Sequence, residues 1–175
     1  MIYIETPRLL LRSWKEDDLK TFVEMNQDPH VMEFFLKSLT EQESIDFYNR
    51  INQEFDQSGY GLYAIERKSD HSFLGYTGFH AITFDVDFAP GIEIGWRIKH
   101  DCWNQGYVTE AGNACLAYAK EQSLCGTIWS FTSVPNKRSE RVMQKIGMRK
   151  VKEFPHPLVP DGHPLKEHVL YQACL

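Results

Sequence analysis

The chain has 175 residues, of which 42% are hydrophobic and 25% charged, the composition of a globular protein with room for one domain, 1–175, and a real core. Nineteen lysines and arginines stand against 24 aspartates and glutamates, a net charge of −5, which argues against nucleic acid as the main partner and suits a cationic one. No apolar run approaches the ~18–20 residues that span a bilayer, no charged-then-apolar leader opens the chain, and the cysteines at 102, 115, 125 and 174 lack C-x-x-C spacing, so the expected setting is the reducing cytoplasm, with no membrane partner and no metal.

The chain opens on a strand pattern from Ile2 to Trp14. A helix follows from Glu16 to about Asn26, with Leu19, Phe22 and Val23 facing inward, and Asp28-Pro29 ends it. Thr40-Glu-Gln-Glu43 is a capping box, so a second helix is predicted from about Glu41 to Phe55, with Gly59 and Gly61 marking its end. Leu62–Arg67 and Phe73–Phe84 read as two strands of a hairpin turning at Ser69-Asp70. Asp85–Pro90 is a turn.

The next run, Gly91-Ile-Glu-Ile-Gly-Trp-Arg-Ile98, alternates as a strand does. Beyond it, Val108, Ala111, Cys115, Leu116 and Ala119 fall at helical spacing, with Cys115 a small core residue. Between them lies Trp103-Asn-Gln-Gly106-Tyr-Val-Thr-Glu-Ala111. Strand, glycine turn and helix form an anion cradle: a helix N-terminus has unpaired N–H groups and a positive dipole end, and glycine admits a close approach. A plain structural turn has the same letters.

A second strand–helix unit follows. Thr127–Val134 is strand-like. Asn136 to Ile146 is a helix bracketed by Pro135 and Gly147, with Val142, Met143 and Ile146 on one stripe. Asn136 and Ser139 sit three apart at its head. The Phe154–His168 stretch, with four prolines and three histidines, reads as a stiff loop between the last two strands.

These segments resemble the GNAT acetyltransferases, the acyl-CoA-dependent N-acetyltransferase superfamily. The match is nearest to the branch with the ribosomal-protein N-terminal (alanine/serine) acetyltransferases and related small-molecule enzymes. Glu5-Thr-Pro-Arg-Leu-Leu-Leu-Arg12 is similar to the first strand of that branch, Trp103–Ala111 to its pyrophosphate loop, and Asn136-x-x-Ser139 with Lys145-Ile-Gly147-Met148 to its second cofactor helix. The likeness runs from about residue 2 to about residue 174. Trp103 stands where the superfamily loop has Gln or Arg, Asn104 where this branch often has glycine, and Val108 at the final small position. The Val108 side chain is therefore expected to pack into the core.

The resemblance implies an α/β (α+β) GNAT fold: one mixed, mostly antiparallel twisted sheet flanked by helices, with acyl-CoA held at the splay between two central parallel strands. It implies acetyl-CoA as co-substrate, bound by Trp96, Ile98, Asn104, Gln105, Gly106, Tyr107, Val108, Thr109, Asn136 and Ser139. It also implies an amine-bearing acceptor, either a small molecule or a protein N-terminus, and a monomer or homodimer. A non-catalytic acyl-CoA-binding or regulatory domain would share the same cradle.

Direct transfer from a thioester to an amine requires the amine to lose a proton and the leaving thiolate to gain one. Glu93 is the candidate base, acting perhaps through water. It is a lone acid between Ile92 and Ile94, where burial would raise its pKa; a salt bridge to Arg97 or an exposed strand face are the other readings. Ser139 is the candidate donor to the sulfur, or a contact of the pantetheine arm, or simply part of the helix start. Asn136 either binds the arm or caps the helix. Tyr107 points to solvent or to a phosphate, and Glu110 serves the first helical turn. Phe34, Phe35, His156 and His163 are the candidate acceptor-binding residues.

Overall fold

The computed structural model describes residues 1–175. In chain order the elements are β1 (Ile2–Glu5), β2 (Leu9–Arg12), α1 (Asp18–Gln27), α2 (Glu41–Ser58), β3 (Leu62–Arg67), β4 (Phe73–Ala81), β5 (Ile92–Ile98), α3 (Tyr107–Glu121), β6 (Thr127–Ser133), α4 (Lys137–Lys145), β7 (Arg149–Pro155) and β8 (Glu167–Cys174). The strands form one eight-stranded sheet in the order β1-β2-β3-β4-β5-β6-β8-β7. Every neighbouring pair is antiparallel except β5 and β6, which are parallel.

Helices cover both faces. On one, α3 presents Ala111, Cys115 and Ala119, small enough to lie close to the sheet, and α4 adds Met143 beside Ile146; these pack on Leu9, Tyr63, Phe79, Ile94 and Ile128. On the other, Phe22 and Met25 of α1 and Ile51 of α2 pack on Trp14, Leu62 and Tyr76. At ~25 cal/mol per Å² of apolar surface, these two layers supply most of the drive to fold. The capping box of α2 forms as predicted: Thr40 Oγ1 accepts from the Glu43 N–H (3.2 Å) and the Thr40 N–H donates to Glu43 Oε2 (2.8 Å). Gly59 ends that helix in the left-handed region, φ 73°.

Three local expectations are corrected. The Ile2–Trp14 strand is two strands joined at Thr6-Pro7-Arg8, where the Thr6 hydroxyl accepts from the Leu9 N–H at 2.9 Å and Pro7 brings no N–H to continue a ladder. Helix α1 buries Phe22, Met25 and Asn26, with Val23 only half-buried; Asn26 Oδ1 accepts from Arg97 across the layer. Strand β4 stops at Ala81, and Phe84 belongs to a loop cluster with Phe88 and Phe131. No helix is long and apolar enough to cross a membrane.

Candidate active site

The parallel pair β5/β6 touches only at its start. Ile92 pairs Ile128 and Glu93 pairs Trp129, and the strands then part, although they continue to Ile98 and Ser133. Ser130 Oγ closes the fork by donating to the Ile94 carbonyl at 2.9 Å. Strand β4 occupies the other edge of β5 along its whole length. The edge of β5 facing the fork therefore offers backbone N–H and C=O groups to whatever enters. A cavity of about 720 Å³ fills the gap. Three buried side-chain polar atoms in the protein lack a partner, and two of them, Arg97 Nε and Ser133 Oγ, belong to residues lining this cavity.

The loop before α3 is shaped for an anion. Asn104 (φ 58°) and Gly106 (φ 78°) both adopt the left-handed backbone. Asparagine tolerates that region better than other side chains, which is why it can stand where the related branch has glycine. Gly106 is the N-cap of α3 and brings no capping side chain, so the first-turn N–H groups are left for a ligand. Arg8 holds the loop from behind. Its Nη1 donates to the Gln105 carbonyl (2.9 Å), its Nε pairs with Glu110 Oε2 (2.6 Å), and its guanidinium stacks on the Tyr107 ring at 4.6 Å. Val108, Thr109, Asn104 and Gly106 line the cavity, and Val108 also packs on the core as expected.

A Cβ on Gly106 would meet only Arg8 Nη2, at 3.4 Å. Backbone conformation, not crowding, is what demands glycine there. Gly106→Ala is expected to cost about 1–2 kcal/mol of stability, read as a lower melting temperature. A variant that melts like the parent would show that the loop relaxes out of the left-handed form at no cost.

Tyr107 is corrected in one respect: its ring is turned from solvent into the main core, while the residue still lines the cavity. Gln105 is also turned away, its side chain donating to the Asp101 carbonyl at 2.9 Å, and it is not among the lining residues.

Glu93 lines the fork at its vertex, partly accessible from the cavity. It forms no salt bridge with Arg97 or any other cation. Burial pushes its carboxyl up to about 7; His80 opposes the shift and Glu54 adds to it. His80 stands directly opposite on β4 and bonds Glu54 Oε2 through Nδ1 at 2.9 Å.

Across the gap, Ser139 Oγ accepts from the Trp96 indole N–H at 3.0 Å, which leaves its own proton to donate. Asn136 caps α4: its Oδ1 accepts from the Ser139 N–H at 3.2 Å, and its Nδ2 donates to Thr132 Oγ1 at 2.9 Å. Trp96, Ile98, Asn136 and Ser139 all line the cavity.

Phe34 and Phe35 line the cavity too, from the segment after α1. His156 and His168 reach it from the far side, their rings 4.8 Å apart. Burial pushes His156 down to about 4, so it is a neutral ring there. His163 is not brought in: its Nδ1 accepts from the Leu165 N–H at 3.1 Å, holding the turn of its own loop. Sequence reasoning missed Arg8, His80 and Arg138, and read Arg97 only as a salt-bridge partner of Glu93. Each acts through a partner from 26 to 105 positions away, a separation that no local pattern encodes.

The lining carries one carboxylate, Glu93, against four cations, Arg97, Arg138, Arg141 and Lys145. The site is thus locally positive on a chain of net charge −5. The forked parallel pair, the uncapped helix start, the raised carboxyl of Glu93 and the Ser139 hydroxyl all border this one cavity.

A family model described as an acetyltransferase (GNAT) domain matches residues 8–149. An uncharacterized protein of Bacillus subtilis, YkkB, is 32% identical over 146 residues, 82% of this chain and 83% of that one. The crystal structure of a GNAT-family acetyltransferase from Bacillus anthracis is similar with a TM-score of 0.81 at 26% identity, covering 99% of this chain and 98% of that chain. The fold alone is shared with a ribosomal-protein α-N-acetyltransferase in complex with coenzyme A, TM-score 0.82 at 14% identity over 100% of this chain and 98% of that one. The chain belongs to the acetyltransferase (GNAT) family and is an acyltransferase enzyme.

Proposed function

We propose that the enzyme moves an acetyl group from acetyl-CoA to a primary amine by direct attack, with Glu93 as the base. The observation that carries this reading is the state of Glu93: a carboxyl at the fork vertex with no cation bound to it and a pKa near 7. A base poised there accepts a proton from an ammonium group, directly or through one water, and loses it again near neutral pH. Ser139 supplies a proton toward the departing sulfur. The open edge of β5 and the uncapped start of α3 are suited to the amide-rich arm and the pyrophosphate of coenzyme A. Arg141 and Lys145, on α4 and unpaired, suit its remaining phosphate charge. The acyl-CoA partner supplies an activated thioester; the chain supplies orientation, the proton acceptor and the proton donor.

The four free cysteines suit a reducing, cytoplasmic setting. Burial raises the thiol pKa of Cys102, Cys115 and Cys125, which keeps these three protonated. A screen of amines for release of free coenzyme A from acetyl-CoA tests the reading. Amine-dependent release is the expected result. Binding of acetyl-CoA with no amine-dependent release across amino acids, polyamines and N-terminal peptides would contradict it.

A further inference from the structure

Two arginines of this protein are buried, and they are treated differently. Arg12 meets two carboxylates, Asp18 at 2.7 Å and Glu66 at 2.5 Å. Arg97 is 9% exposed and forms no salt bridge. Its Nη1 donates to the neutral Asn26 Oδ1 at 2.6 Å, and its Nε has no partner. The guanidinium lies over the Phe35 ring at 4.2 Å, with Tyr76 at 5.5 Å and Phe47 at 5.8 Å. These rings attract a cation but do not neutralise it. A desolvated guanidinium without a carboxylate is costly, and its planar fork matches a carboxylate in two parallel hydrogen bonds.

The strand places this cation in register with the base. Glu93, Gly95 and Arg97 alternate onto one face of β5, opposite His80, Gly78 and Tyr76 of β4. Between base and cation, Gly95 presents no side chain, and a Cβ there would find nothing within 4 Å. The floor of the cavity is therefore open from Glu93 to Arg97, about 13 Å between Cα atoms at the ~3.3 Å rise of a strand. One guanidinium at that end matches a single negative charge. The other lining cations stand on α4, and Arg138 among them is already paired with Glu33.

We infer that the acceptor is a small amine that carries a carboxylate, with its amino group at Glu93 and its carboxylate on Arg97, above Gly95. This rests on the transfer reading given above and narrows its acceptor. It runs against the net acidity of the chain, which by itself suits a polycation; the charge that meets the acceptor is local.

The test is a panel of α- and ω-amino acids, each paired with its own carboxamide, assayed by coenzyme A release from acetyl-CoA. The amide keeps the amine and makes it easier to deprotonate, so a preference for the acid cannot arise from basicity. The wild-type enzyme is expected to favour at least one acid over its amide by about tenfold or more in kcat/KM. Arg97→Met is expected to bring that ratio toward one, with the Kd for acetyl-CoA unchanged. Amides or polyamines turned over as well as acids would overturn the inference and leave acetyl transfer standing. If no compound is turned over, the acids are titrated by calorimetry into the protein–coenzyme A complex. Binding that Arg97→Met removes would sustain the carboxylate site and sink the transfer reading; no binding would sink the carboxylate site. Should Arg97→Met fail to fold, the wild-type ratio and titration decide alone.

Discussion

Glu93→Gln is expected to lower turnover by roughly 10²-fold or more while leaving the affinity for acetyl-CoA unchanged. The substitution keeps size and polarity and removes only the capacity to take a proton. The parent rate should rise with pH through about 7, because Glu93 must be ionised to act and burial holds its carboxyl there. The variant should lose that limb. Stability gives an independent reading with a definite sign. A carboxyl whose folded pKa is raised above its unfolded value of ~4.3 stabilises the fold while protonated, and that stabilisation is lost as pH rises toward 7. The parent should therefore lose melting temperature relative to Glu93→Gln between pH 5 and pH 8. Near-normal turnover in the variant, with the acid limb intact, would remove Glu93 from the mechanism.

Arg12→Leu is expected to destabilise the fold by about 3–5 kcal/mol, because it leaves the buried Asp18 carboxylate without a cation and takes from Glu66 one of its three partners, Lys15 and His71 remaining. Arg12 joins three elements. From β2 its Nη1 and Nη2 donate to both oxygens of Asp18 at the start of α1, and its Nε donates to Glu66 of β3. Asp18 and Glu66 are each 4% exposed. Burial alone would raise the Glu66 carboxyl, but hydrogen bonds from His71, Arg12 and Lys15 outweigh it and hold it at about 2. The sign for acid follows: this contribution is present above the unfolded value and is lost as pH falls from ~4.3 through about 2. Chemical denaturation of parent and variant at neutral pH, repeated near pH 3, measures both effects. A variant within about 1 kcal/mol of the parent would show that the carboxylates rehydrate freely.

Much of this was legible in the sequence because short-range physics carried it. The capping box at Thr40, the alternation of Ile92 to Ile98, the glycine at 106 and the Asn136 cap are all decided by neighbours a few residues apart, and all appear where expected. The fork itself is different. Nothing in β5 or β6 alone says that they part after Glu93 and Trp129; a splay there was implied only by the family resemblance. For Tyr107 the sequence left solvent and a phosphate open as directions, whereas Arg8, 99 positions earlier by numbering, covers its ring and helps close the solvent side. His163 looked equivalent to His156, and each ring accepts from the N–H two residues on, yet only His156 reaches the cavity. The isolation of Arg97 is invisible in one dimension, since it consists of which acids do not reach it. Val23 shows the same limit on a smaller scale: it was expected inward with Leu19 and Phe22, whereas the buried positions are Phe22, Met25 and Asn26, the last bonded across the layer to Arg97.

The central claim is that acetyl-CoA occupies the fork between β5 and β6. Calorimetric titration of acetyl-CoA into the purified protein tests it most directly. The account predicts one site per chain with a Kd of roughly 1–100 μM, in the range of working substrate concentrations, and no loss of that binding in Glu93→Gln. Absence of binding up to millimolar acetyl-CoA would contradict it.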